Sequence, residues 1–88
     1  MEKRYFVELV INKERLSDKS TVFVAYCPTL GIASQGKDIE ESKENIKEAI
    51  DLYLEEQPER FDDLISNEVP LFSVIEVKRS AKTANIVG

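Results

Sequence analysis

The sequence predicts an α+β fold, a small and mostly antiparallel sheet with one helix on one face, in the order β-β-β-α-β. Two runs rich in aromatic and β-branched residues, 4–11 (RYFVELVI) and 21–27 (TVFVAYC), flank a polar, turn-forming segment, NKERLSDKS; this is the pattern of a β-hairpin. One amphipathic stretch starts at Asp38 behind a capping signal and runs to Pro58. A last strand-like run, 71–78 (LFSVIEVK), follows Pro70. Hairpins first, with the helix before the final strand, set that helix against one face of an antiparallel sheet.

Each element carries its own signal. In the first strand Tyr5, Val7, Leu9 and Ile11 point one way, and Phe6 and Val10 the other, with Arg4 and Glu8. The second strand is stopped by Pro28, and a short third strand, 31–35, ends at Gly36. Asp38 is a good N-cap, and Glu41 stands where its carboxylate can reach back to the cap N–H. Pro58 disfavours helix at Gln57, so the helix is expected to end near Glu56. Ile39, Ile46, Ala49, Ile50 and Tyr53 fall within an arc of about 100° and form the expected buried face. Opposite them, Glu40, Glu44, Glu48, Asp51 and Glu55 share an arc of about 80°. The fourth strand separates Leu71, Ile75 and Val77 from Phe72 and Val74. Residues 1–78 are expected to form the domain and 79–88 a flexible tail. A single helix covers one sheet face only. The other would expose Phe6, Val10, Phe72 and Val74, so that face, or an exposed sheet edge, is expected to be covered by another chain in an oligomer (dimer or tetramer), the alternative being that the tail folds across it.

Eighty-eight residues suffice for one domain. No window approaches the roughly 18 apolar residues of a membrane span, and the N-terminus lacks a secretory pattern, so a cytoplasmic protein is expected. The lone Cys27 cannot form an internal disulfide and reads as a small buried hydrophobe. The net charge of −5 is unevenly spread: residues 38–63 hold 11 acidic and 3 basic residues, a local −8. Such an element repels phosphates and favours a basic protein partner.

The residues for common catalytic chemistry are scarce. The chain has no histidine, which removes the commonest general base, and one cysteine cannot build a zinc site. Neither a P-loop nor a G-x-G-x-x-G motif is present. Carboxylates alone could hold Mg²⁺, but the strands supply only Glu8 and Glu76, and Asp62 and Asp63 sit in a polar linker. A non-catalytic protein without metal or cofactor is therefore expected. The acidic stripe fits either a solvated helix face or a docking surface. Like charges four residues apart, Glu40–Glu44–Glu48 and Asp51–Glu55, repel mildly, and a basic partner would relieve that repulsion.

At Tyr26-Cys27-Pro28-Thr29-Leu30-Gly31, Gly36-Lys37-Asp38-Ile39-Glu40-Glu41 and Asn45-Ile46-Lys47-Glu48-Ala49-Ile50 the sequence resembles the HicB-like antitoxin family. The resemblance spans about residues 4–56. It departs where the family has proline before Gly31, cysteine at Ile32, threonine at Asp38 and alanine at Ser42. It implies a truncated RNase H-like fold without the nuclease acids. It also implies an antitoxin that binds and occludes a small basic ribonuclease, the HicA-like toxin of a type II toxin-antitoxin system, and that forms homo-oligomers. Many members carry a C-terminal DNA-binding domain. About ten residues follow the fourth strand here, so no separate DNA-binding domain and no autonomous DNA binding are expected. The other readings are a stand-alone homo-oligomeric binding module and a degenerate RNase H-like nuclease.

Overall fold

A computed structural model describes residues 3–66, 68–69 and 71–79. It is an α+β structure. Strands β2 (Val10–Arg15), β3 (Thr21–Cys27) and β4 (Ile32–Gly36) form an antiparallel sheet in that order. Strand β1 (Tyr5–Phe6) pairs antiparallel with β5 (Ile65–Ser66). One long helix, α1 (Ile39–Glu56), packs on β4 and β3, and a 3-10 helix, Pro58–Asp63, links it to β5.

The run 4–11 is therefore not one continuous strand: among the described residues, residues 7–9 have no ladder partner, and β2 continues to Arg15. The expected nine-residue loop shrinks to a turn because ladder hydrogen bonds are made by the backbone, and polar Asn12–Arg15 can pair with Thr21–Val24 across the hairpin. Leu16 N–H donates to Ser20 O, Lys19 takes a positive φ of 72°, and the Asp18 carboxylate accepts the Ser20 amide. The side-chain alternation nevertheless continues through the break. Tyr5, Val7, Leu9 and Ile11 are half-buried, and Val7, Leu9 and Ile11 pack against the core.

The β3–β4 turn depends on Gly31, whose φ of +68° places it in the left-handed region, with its N–H donating to Cys27 O at 2.8 Å. Asp38 caps α1 by accepting the Glu41 amide at 2.8 Å. The reciprocal half of the capping box is shifted by one residue: Glu41 Oε1 accepts the N–H of Lys37, not of Asp38, at 2.9 Å. The helix ends at Glu56, as Pro58 requires.

The buried face of α1 is Ser42, Ile46, Ile50 and Leu54, with Ala49 and Tyr53 half-buried. Ile39, expected on that face, is 47% exposed. Its angle is right, but it sits in the first helical turn, and periodicity does not say what lies beneath each turn. Ser42 replaces it because the helix nearly touches β4 there. A Cβ on Gly36 would lie 2.5 Å from Ser42 N and 2.8 Å from Glu41 C. The Ser42 hydroxyl donates to Ile39 O, so its burial leaves no unmet polar group. Ala25, Cys27 and Leu30 complete the core with Ile46, Ile50 and Leu54.

Among the described residues the expected fourth strand, 71–78, makes no sheet pairing; β5, a few residues earlier, pairs with β1. Strand propensity describes fitness for a pleated neighbour and does not supply one. Phe72 and Val74 are 66% and 97% exposed, Val10 is about half exposed and Phe6 is half-buried. Of the expected tail only Arg79 is described, and residues 80–88 lie outside the described residues.

The packing predicts a contrast. Ile46→Ala should lower the unfolding free energy by about 2–5 kcal/mol, and Gly36→Ala by about 1–3 kcal/mol. Ile39→Ala should stay within about 0.5 kcal/mol. Urea denaturation of the three variants checks the order; equal losses at Ile39 and Ile46 would refute the assigned helix face.

Candidate functional site

With α1 packed on β4 and β3, the space between the helix and β1 is left unfilled. The result is a trough along the helix. Its deeper part, about 520 Å³, has a floor of Tyr5 and Val7 from the β1 side, Ile50 and Leu54 from α1, and Phe61 and Leu64 beyond it. A second hollow of about 400 Å³ shares Tyr5, Val7 and Lys47 with the first and continues toward Leu9 and the helix N-terminal half. Alternation delivers Tyr5, Val7 and Leu9 to this one side.

Of the five acids expected to bind a partner, four border the trough: Glu40 and Glu44 line the shallower hollow, Asp51 and Glu55 the deeper one. Glu48 is exposed on the same helix but lines neither. Lys43 and Lys47 stand on the same rim, which the acidic stripe alone did not indicate. Lys47 Nζ lies 2.8 Å from Asp51 Oδ2, one helical turn on, with both side chains largely in solvent. The rim thus retains an excess of negative charge, four acids against two lysines, above an apolar floor.

The far wall is held by Arg60, which carries no local sequence signal. Arg60 donates from Nε to Asp63 at 2.7 Å, from Nη1 to the Tyr53 hydroxyl at 2.7 Å and from Nη2 to Thr29 O at 3.2 Å. One guanidinium joins the 3-10 helix, the end of α1 and the β3–β4 turn, and its hydrogen bond to Asp63 raises its pKa further above the ordinary arginine value. Phe61 packs on Tyr5 with ring centroids 4.7 Å apart, which ties the same segment to β1. Asp63 is thereby committed to structure, and the Asp62–Asp63 pair is no ready ligand set. At the other end Asn45 Nδ2 donates to Gln35 O at 2.8 Å, anchoring α1 to β4.

The oligomer-interface candidates are not gathered in one place. Phe6 lines the shallower hollow, while Val10, Phe72 and Val74 line a separate gap together with residues 7–9. Among the described residues no three cysteine, aspartate or glutamate side chains come together as a metal site. Cys27 is fully buried at the end of β3. No helix of the described residues is long and apolar enough to cross a membrane. No family model matches the chain, and neither a curated protein nor a solved structure matches it significantly.

Arg60→Lys should lower Tm by a few degrees, nearly as much as Arg60→Ala, because an ammonium cannot span the three acceptors that the planar fork reaches. Full stability of the lysine variant in a thermal melt would show that charge alone holds the wall.

Proposed function

We propose that this chain is a non-catalytic binding protein of the HicB-like antitoxin kind, which docks a small basic ribonuclease of the HicA type and occludes it. The observation that carries the reading is the trough beside α1, an apolar floor under a rim with an acidic excess. An amphipathic basic surface satisfies both parts: its apolar residues fill the floor, and its lysines or arginines neutralise Glu40, Glu44 and Glu55. Several residues behind the family resemblance have structural roles that support the reading. Gly31 forms the left-handed turn, Asp38 caps the helix, Asn45 bonds to β4, and Ser42 keeps the small size of the alanine it replaces.

On this reading the fold is a truncated RNase H-like arrangement, with β1 and β2 as one interrupted first strand, and the protein works in the cytoplasm beside its toxin. It performs no chemistry on RNA; inhibition follows from covering the toxin. A rim of this charge does not suit a phosphate backbone, so operator DNA is contacted, if at all, within the toxin complex.

The test is affinity for a co-purifying basic ribonuclease encoded next to this chain, read together with RNA cleavage in the presence of Mg²⁺. Glu44→Lys combined with Glu55→Lys should weaken binding roughly tenfold or more at low salt and less at high salt, because charges at the rim are screened. Glu48→Lys, off the trough, should have the smaller effect. Equal effects at Glu44 and Glu48 would contradict docking in the trough, and Mg²⁺-dependent cleavage by the isolated chain would favour the degenerate nuclease.

A further inference from the structure

The two walls of the trough offer side chains to an occupant and no backbone groups. In the body of α1 the N–H and C=O groups bond along the axis, within the helix. Opposite, Tyr5, Val7 and Leu9 turn their side chains to the trough. Strand N–H and C=O groups lie in the sheet plane, across the direction of the side chains. Those of β1 serve its ladder with β5. An extended segment lying in the trough would hold its own polar backbone unpaired over an apolar floor, which is costly for every group. The rim adds a spacing. Glu40 and Asp51 stand eleven positions apart, and so do Glu44 and Glu55. Eleven residues make three helical turns to within about 20°, so each pair lies along one line about 16 Å long. Lys43 and Lys47 stand between Glu40 and Asp51.

With the trough as the docking site, on which this rests, we infer that its occupant is an amphipathic α-helix of about four turns, with cations three turns apart beside its apolar stripe. A helix satisfies its own backbone and meets the floor with side chains alone. The rim from Glu40 to Glu55 runs about 22 Å, the length of about 15 helical residues. Charge selects the pattern on the occupant. A lysine or arginine near each end of the stripe meets Glu44 and Glu55, or Glu40 and Asp51. A cation at the middle meets Lys43 and Lys47 instead and is repelled. The deeper hollow, about 520 Å³ with Tyr5, Ile50, Leu54 and Phe61 in its lining, takes the largest apolar side chains of the stripe.

Synthetic peptides test the occupant without any ribonuclease. The probe is an alanine-based peptide of about 16 residues, with leucines at helical spacing and two lysines eleven positions apart bordering that stripe. Two isomers of the same composition serve as controls. One sets the lysines four apart at the centre, and the other alternates leucine with alanine as a strand would. Titrated into the isotopically labelled full-length chain, the probe should saturably shift amides at residues 5–9 and 40–55 and gain helical circular dichroism as it binds. The central-lysine isomer should bind about fivefold more weakly at low salt, and the alternating isomer about tenfold more weakly. Glu44→Lys with Glu55→Lys in the chain should abolish the preference for spaced lysines. Equal affinity of the three peptides, saturation without added helix, or no saturable shift would overturn the inference. So would trough amides that shift with the chain's own concentration, because a second copy would then fill the trough. A ribonuclease that binds the trough when the probe does not would overturn the helical occupant and leave the proposed function standing. A probe that binds when the ribonuclease does not would overturn the proposed function alone.

Discussion

Gly36 meets the first turns of α1 with no side chain between them, and the rest of the structure is arranged around that contact. A hydrogen in place of a Cβ lets the Ser42 amide come within 2.5 Å of where a Cβ would stand. The close approach is secured on both sides, by the Asp38 cap before it and by the Asn45 bond to Gln35 after it. Once α1 is fixed to β4, Ile46 and Ile50 reach Ala25 and Cys27, which closes the core. The same placement draws the helix to one side of the sheet. It leaves Tyr5, Val7 and Leu9 facing a trough where a more central helix would have covered them.

The trough is a composite feature, and its two halves have different physical origins. Its floor follows from period-two alternation in residues 5–9 and from the seating of Phe61 against Tyr5. Its rim follows from helical periodicity, which turns Glu40, Glu44, Asp51 and Glu55 away from the core. The Lys47–Asp51 pair offsets part of the repulsion among these acids, although a pair this exposed adds little stability. Charge left in excess above an apolar surface is inefficient for folding alone. On the proposed function it serves docking, with the acids steering a basic partner and the floor holding it.

Local features were legible in the sequence, and features made by distant segments were not. Asp38 and Pro58 set the ends of α1 through nearest-neighbour chemistry, and the helix runs from Ile39 to Glu56 as those signals require. The acidic stripe was equally legible, and all five of its residues are exposed. Ser42 was missed because a hydroxyl reads as surface; the nearby glycine at the end of β4 was the available hint that something small had to stand opposite. Arg60 was missed because its three acceptors, Thr29, Tyr53 and Asp63, converge only after folding. The run 71–78 shows the limit most clearly. Its residues favour a strand, but a strand exists only with a partner, and the partner is not encoded in the run itself.

The central claim is that a partner binds in the trough between α1 and β1. Titrating the isotopically labelled full-length chain with a small basic ribonuclease of the proposed HicA type, followed by backbone amide NMR, tests it most directly. The account predicts saturable shift changes concentrated at residues 5–9 and along residues 40–55, with the tip of the β2–β3 hairpin unaffected. Changes confined to that hairpin, or no saturable change at all, would contradict it.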